Sequence, residues 1–432
     1  MTAADEARQK VEVVTFGCRL NMVESQTIRQ LAAQGGEKNL VVVNTCGVTG
    51  ESARQARQAI RKLKRERPDA RIVVTGCAAQ IDPDPFAAMP EVAHVMGNAE
   101  KTRPLSWRSF DARVNVGPAS AAARRDNEPS PMLAAIEGHT RAFLAVQNGC
   151  DHSCTFCVIP LGRGPSRSAP AEEIVARAQK FVETGHQEIV LTGVDLTSWG
   201  ADLPGAPKLG QLVRRLLRAL PDLPRLRLSS IDCIEADPDL IAAFAEEERL
   251  APYLHLSLQS GDDLILKRMK RRHGRQESVD FCANLRRLRP NMAFGADLIA
   301  GFPTEDEAMA ARSLALIDDC GLSFLHVFPF SPRPGAPAAR MRRVPSELVK
   351  QRAALLREKG EQALQGHLRA QVGRRLRILT ERGGIGRADD FTPVKTPGLA
   401  PGLLVWGEAT GFDGGSLNVT FDSSLIEKLA SR

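Results

Sequence analysis

Cys150, Cys154 and Cys157 fall within eight residues, in the stretch QNGCDHSCTFCVIP, although the 432-residue chain has only nine cysteines. Isolated buried cysteines behave as small hydrophobes, and a C-x3-C-x2-C run in a loop containing Gly and Asp does not fit that use. Two metal chemistries take such thiolates. Structural zinc wants four protein ligands, commonly as paired C-x2-C knuckles; the nearby fourth candidate is His152, wedged between two of the cysteines. Three thiolates on a four-iron cube leave one iron without a protein ligand, and a substrate or cofactor can bind there.

A second trio is spread out. Cys18, Cys46 and Cys77 each follow a strand-like run: VEVVTF (11–16), LVVVNT (40–45) and RIVVTG (71–76). Helical runs alternate with these strands, one from about Met22 and one over ESARQARQAIRKLKRE, which predicts a parallel sheet. In such a sheet all carboxyl ends share one edge, where open α/β folds place ligands. The three thiols are therefore expected to meet, although small residues at strand ends are the plainer reading of each alone. Cys233, Cys282 and Cys320 lie singly and read as buried small hydrophobes.

A second strand–helix series must position the dense trio. Strands are expected at 142–146, 188–193, 225–230, 253–258, 294–300 and 324–330, with helices near 171–184, 209–220, 238–248, 276–289 and 305–319. Pro170 followed by Glu172 and Glu173 suits a helix start. Six units of this kind curve into a partial or complete barrel whose active residues sit at the carboxyl ends of its strands. The C-x3-C-x2-C loop follows the first strand, at that end. A basic helix (345–370) then leads to RRLRILTE, FTPVK and LLVWGEATGF, broken by GG, PG and DGG turns, which read as a small antiparallel β-barrel. The fold class is α/β: an N-terminal parallel domain (1–120), a Pro-, Ala-, Ser- and Arg-rich linker (121–138) with a short strand before it at 114–116, a partial (βα)6 barrel (139–368) and the terminal barrel (369–432).

Composition is that of a soluble globular protein of two or three domains. The start, MTAADEARQK, has no apolar h-region, and no apolar run is long enough to span a bilayer. A cytoplasmic protein without a membrane partner is expected, in which an odd number of scattered cysteines argues for metal or catalysis over disulfides. The net charge of +7 admits an anionic partner.

C-x3-C-x2-C with an aromatic before its last cysteine, after the first strand of a βα barrel, resembles the radical S-adenosylmethionine (AdoMet) superfamily. There the open iron chelates the amino and carboxylate groups of AdoMet, and one electron cleaves the sulfonium to a 5′-deoxyadenosyl radical. The whole chain is similar to the tRNA methylthiotransferases, which join an N-terminal cluster domain, a radical AdoMet barrel and a TRAM domain. The resemblance is carried by TFGCRLNMVES, VVNTCGVTGESARQARQAIRK, VVTGCAAQ, AVQNGCDHSCTFCVIPLGRGPSRS, EIVLTGVDL, LHLSLQSGDDLILKRMKR and HVFPFSPRPGAPAARM. It implies two [4Fe-4S] clusters, one on Cys18, Cys46 and Cys77 and one on Cys150, Cys154 and Cys157, with AdoMet at the second. GCRLN, with Arg19, and HVFPFSPRPGAPAARM resemble the branch that methylthiolates C2 of threonylcarbamoyladenosine at tRNA position 37. Other branches act on isopentenyladenosine or on a ribosomal-protein aspartate. The TRAM-like tail is short and weakly patterned, the largest departure from the family. The resemblance further implies an anticodon-loop adenosine of tRNA as substrate, an electron donor such as flavodoxin or ferredoxin, and a sulfur source.

No catalytic side chain is expected beyond the cluster ligands. Thr192 and Gly193, Ser229 and Ser230, and Gln259 and Ser260 end barrel strands and are expected to line the AdoMet pocket; an ordinary βα turn is the competing reading of each. Gly301 and Pro303 are expected to shape the adenine site. Four basic clusters suit a phosphate backbone: Arg61, Lys62, Lys64 and Arg65; Lys267, Arg268, Lys270, Arg271 and Arg272; Arg340, Arg342 and Arg343; Arg374, Arg375 and Arg377. The reading from another class is a non-catalytic RNA-binding protein with structural zinc.

Overall fold

The computed structural model describes residues 11–36, 39–110, 112–119 and 139–421. The chain divides into two compact units, one from Met1–Glu137, Gln147–Ala169 and Ser331–Arg340, the other from Gly138–Val146, Pro170–Phe330 and Met341–Arg432. The cysteine loop thus groups with the N-terminal sheet, whereas its place in the sequence assigned it to the barrel.

In the first unit five parallel strands lie side by side in chain order: Glu12–Thr15, Leu40–Thr45, Arg71–Gly76, His94–Met96 and Val114–Asn115. Continuous β-branched runs suit strands buried on both faces. Val41, Val43, Ile72 and Val74 pack against Ala56 and Ile60 of the helix Gly50–Glu66. Leu40, Val42 and Val73 pack the other way, with Ile28 and Ala32 of the helix Arg19–Gln34 and with Trp107. Thr49 Oγ1 accepts from the Ser52 N–H at 3.1 Å and starts the first of these helices. The strand at His94–Met96 was not foreseen, because three residues are too few to show a period. The linker expected at 121–138 lies outside the described residues.

In the second unit six parallel strands follow one another: Arg141–Ala145, Glu188–Thr192, Arg225–Leu228 continued by Ser230–Ile231, Tyr253–Gln259, Ala293–Ala300 and Leu322–Pro329. The third strand breaks at Ser229, so its first half closes a three-stranded sheet and its second half opens a four-stranded one. The first and sixth strands are not paired among the described residues, which makes the barrel partial. Leu254, Leu256, Leu258, Phe294, Ala296 and Leu298 are buried on one face. On that face Leu325 meets Gly360 of the long helix Ser346–Gln371, which covers the outside. Tyr253, His255, Asp297, Phe324 and His326 alternate with them and face inward.

The C-terminal domain is a closed five-stranded barrel in the order Arg375–Glu381, Ile385–Ala388, Pro393–Lys395, Ser416–Phe421 and Leu404–Asp413. Its core joins Ile378, Val394, Val405, Ala409 and Leu417 to Leu368 of the long helix. Three of its strands were foreseen; Ile385–Ala388 and Ser416–Phe421 were not. Its neighbours are antiparallel except Pro393–Lys395 and Ser416–Phe421, which run parallel and close the ring.

This domain also floors the partial barrel. Phe391 stacks on Tyr253 with ring centroids 4.8 Å apart, and the Arg141 and Arg227 guanidiniums lie 5.5 and 5.2 Å from the Phe391 ring centre. Around it Glu188 pairs with Arg225 at 2.5 Å and Arg227 at 2.7 Å, and Arg225 reaches Asp389 at 2.5 Å. Arg141, Glu188, Arg225 and Tyr253 each begin a strand, so the floor lies at the amino ends. Among the described residues no helix is long and apolar enough to cross a membrane.

Candidate cluster-binding sites

The parallel register brings the N-terminal cysteines together. Thr15 stands opposite Asn44 and Thr45 opposite Gly76, so the turns that carry Cys18, Cys46 and Cys77 leave one sheet edge side by side. Asn21 ties two of these turns, its Nδ2 donating to Phe16 O at 2.7 Å and to Thr45 O at 3.0 Å. Gly17 has φ +98, and a Cβ there would stand 2.8 Å from Cys46 Sγ, so only glycine leaves that sulfur its space. Burial first, then the neighbouring Cys77 and Cys18, push the Cys46 thiol up to about 11. Three crowded thiols of this kind become thiolates together only beside a compensating cation, which is the donor chemistry of an iron–sulfur or zinc site.

The second trio lies in the same unit. Cys150 N–H donates to Gly164 O at 3.1 Å and Cys157 N–H to Cys154 O at 3.1 Å, which curls the loop on itself. Ile159 N–H donates to Cys157 Sγ at 3.4 Å, a further backbone tie within the loop. Thr155 O accepts from Ala338 N–H at 2.8 Å, so the segment Ser331–Arg340 braces the loop. None of the nine cysteines, all within the described residues, forms a disulfide.

One side chain links the two sites and had no sequence signal. Arg163 is buried, donating to Glu24 Oε1 at 2.8 Å and to Asn21 Oδ1 at 2.6 Å. Lys101 Nζ holds the other Glu24 oxygen at 2.7 Å. Burial opposes charge on Glu24, but Arg163 and Lys101 outweigh it and hold the carboxyl down to about 2. Burial likewise opposes the Arg163 cation, which Cys77, Glu24 and Cys18 hold charged. Asn98 extends the link, its Nδ2 donating to Gly162 O at 2.6 Å with Cys77 Sγ at 3.9 Å.

The strand-end residues behave unequally. Thr192 ends its strand and is buried, with Gly193 next. Ser229 is buried at the strand break, and among the described residues its hydroxyl has no hydrogen-bond partner, which leaves it available to a ligand. Ser230 opens the next half-strand, and Gln259 ends its strand at φ +68. Ser260 is turned outward instead: its hydroxyl accepts from Asp262 N–H at 3.2 Å and lies 3.4 Å from Ser313 Oγ. Gly301 lies under the long helix, where a Cβ would stand 2.5 Å from Val349 Cγ2.

The basic clusters divide too. Arg271 is tied to Asp232 at 2.8 Å and Arg272 to the same carboxylate at 3.4 Å, while Lys267 and Lys270 stay exposed. Lys64 donates to Ala70 O at 3.0 Å. Arg340, Arg342 and Arg343 are exposed. Arg377 is held by Asp389 at 3.0 Å, whereas Arg374 is exposed and Arg375 lies 5.4 Å over the exposed Trp406 ring.

Two family models match: the Radical SAM superfamily over residues 144–317 and the uncharacterized protein family UPF0004 over residues 10–97. A threonylcarbamoyladenosine tRNA methylthiotransferase MtaB of Rickettsia prowazekii is 45% identical over 405 residues, 94% of this chain and 96% of the relative. One of the same name from Thermotoga maritima is 34% identical, over 86% of each chain. A tRNA-2-methylthio-N(6)-dimethylallyladenosine synthase of Cereibacter sphaeroides is 35% identical over 92% of this chain and 95% of the relative. Among solved structures, the radical S-adenosylmethionine methyltransferase TsrM of Kitasatospora setae shares the fold, with a TM-score of 0.55, 14% identity and 77% of each chain covered.

Proposed function

Because the chain belongs to the threonylcarbamoyladenosine tRNA methylthiotransferases, we propose that its two cysteine trios are the ligands of its two [4Fe-4S] clusters. Cys150, Cys154 and Cys157 would hold the one that binds AdoMet, and Cys18, Cys46 and Cys77 the other. The observation that carries this assignment is that both trios lie in one compact unit, joined through Arg163.

The enzyme is a radical AdoMet methylthiotransferase, and its substrate is tRNA. We assign the methylthio group to C2 of threonylcarbamoyladenosine at position 37. When bound, the clusters and AdoMet supply the electron, the carbon-centred radical and the methyl group. The protein binds, orients and keeps water away. Arg163 sets a fixed cation beside Cys18 and Cys77 and stiffens the loop that carries the other trio. Thr192, Gly193, Ser229, Ser230 and Gln259 lie at or beside carboxyl ends of barrel strands, the position from which a βα barrel contacts its ligand; the unpartnered Ser229 hydroxyl supports this most directly. Arg374, Arg375 and the exposed clusters would meet the phosphate backbone. A low-potential donor such as flavodoxin or ferredoxin, and a sulfur source, would serve the reaction in the cytoplasm.

Nucleoside mass spectrometry tests this reading. tRNA from cells lacking the gene should carry threonylcarbamoyladenosine without its methylthio group, and the intact gene should restore it. A methylthio deficit in dimethylallyladenosine, or in a ribosomal protein, would move the chain to another branch.

A further inference from the structure

The inner face of the partial barrel carries a side-chain array that the cluster sites do not use and that meets the floor only through Tyr253. Asp297 Oδ1 accepts from two imidazoles, His255 Nε2 at 2.9 Å and His326 Nδ1 at 3.1 Å. Behind them, His255 Nδ1 lies 3.1 Å from the Tyr253 hydroxyl. Gly295 makes room for this pair, since a Cβ there would stand 2.5 Å from Tyr253 Oη and 2.7 Å from His255 Nδ1. The two imidazoles lie 4.6 Å apart at 33°. The His255 side chain is buried, but that of His326 is 63% exposed. Burial opposes charge on Asp297, yet hydrogen bonds from His255 and His326 outweigh it and hold the carboxyl well below the usual range.

Two histidines and a carboxylate also make a divalent-metal ligand set. Here, however, both inward nitrogens are already bonded to the same carboxylate oxygen, and His255 is satisfied on its other side as well. Among the described residues the position left open is the outer nitrogen of His326. An imidazole anchored through Nδ1 to a carboxylate is oriented by it, and in its doubly protonated form its outer nitrogen is a second hydrogen-bond donor aimed away from that carboxylate. An anion at the outer nitrogen would accept that hydrogen bond.

We infer that His326, braced by Asp297 and His255, is the subsite for the carboxylate of the threonylcarbamoyl group, and thereby distinguishes this substrate from adenosines with an uncharged N6 substituent. The inference rests on the methylthiotransferase reading above. The threonyl arm ends in a carboxylate, whereas the dimethylallyl group named for the Cereibacter relative is hydrocarbon. A site built to hydrogen-bond a polar group rejects an analogue lacking it, because its own polar group is left unpaired.

The test measures binding of two anticodon stem-loop RNAs to the cluster-loaded, full-length enzyme by fluorescence anisotropy, without reductant. Both carry threonylcarbamoyladenosine, one as the free acid and one as the primary amide. Wild type should bind the acid about tenfold or more tightly, the scale of one charge-assisted hydrogen bond. His326→Leu should bind the two alike, and His326→Gln, which keeps a donor, should retain part of the preference. Because each ratio is taken within one protein, a general loss of folding or turnover cancels. Equal binding of the two RNAs by wild type, or full preference in His326→Leu, overturns the inference. Failure of the underlying reading is a different result: wild type given reductant and AdoMet would leave the acid RNA without a methylthio group, and the inference would fall with it.

Discussion

Arg163 Nη1 donates to Glu24 Oε1 at 2.8 Å, joining the cysteine loop to a helix that lies 139 residues earlier in the chain. Both side chains are buried, and among the described residues Lys101 is the one other cation on the carboxylate. Arg163→Gln would leave Glu24 under-compensated and remove the cation beside Cys18 and Cys77. Breaking one partner of a buried pair costs roughly 3–5 kcal/mol. The variant should therefore unfold at lower temperature and retain less iron after anaerobic reconstitution, with Arg163→Lys recovering part of both. Iron content and melting temperature equal to wild type would remove Arg163 from the site.

Two trios predict about eight iron atoms per reconstituted chain, from two four-iron clusters. Cys46→Ala and Cys154→Ala should each lower this to about four. Cys46→Ala should still form 5′-deoxyadenosine from AdoMet under reductant but no methylthiolated RNA; Cys154→Ala should form neither. Electron paramagnetic resonance and product mass spectrometry on the same samples decide it. Zinc in place of iron would favour the non-catalytic RNA-binding reading.

The cysteine edge was legible because each of Cys18, Cys46 and Cys77 follows an apolar run whose end can be read from composition. The arginine behind them was not. Arg163 looks like any polar loop residue, and Glu24 lies on a helix face that reads as exposed, so only tertiary folding reveals their burial. Asp297 and His326 are similar: they become neighbours only through the pairing of the fifth and sixth barrel strands, whose register no local pattern states. The loop after the first barrel strand belongs with the barrel by sequence, and the Radical SAM match covers it there, yet its contacts group it with the N-terminal sheet, which no local pattern states.

Glu188 sets a pH dependence on the barrel. Burial would raise its pKa, but Arg225 and Arg227 hold it down to about 2 from the usual 4.5. The two guanidiniums are unequal: burial opposes both, and the additional partner Asp389 keeps Arg225 raised while Arg227 is lowered. A depressed carboxyl contributes stability that is complete above its unfolded value and disappears as pH falls through its folded one. The loss between pH 4.5 and 2 is on the order of 3 kcal/mol. Glu188→Gln should flatten that limb and lower stability at pH 7, where two buried guanidiniums lose their carboxylate. Urea midpoints of the metal-free chain at stepped pH would read both; an unchanged acid limb would refute the assignment.

Arg374, Arg375 and Arg377 should not act alike. Neutralising Arg374 and Arg375 should weaken tRNA binding and flatten its dependence on salt, because fewer counterions are released. Trp406→Ala should weaken binding with little change in the salt slope, since stacking is not ionic. Arg377→Ala should mainly lower stability through loss of the Asp389 pair. Filter binding across a salt series, with melting curves, separates the three. Equal salt slopes for wild type and the Arg374/Arg375 double variant would assign those arginines to a merely solvated face.

Phe391 makes the C-terminal domain difficult to exchange. Its ring fills the floor between Tyr253 and two arginines, and Asp389 beside it meets Arg225. A chimera that fused this barrel to a foreign tail at the helix end would strip aromatic surface and uncover cations together, inviting aggregation rather than a milder loss of RNA affinity. The tail is thus constrained at its underside, where a short turn serves as part of the neighbouring domain's core.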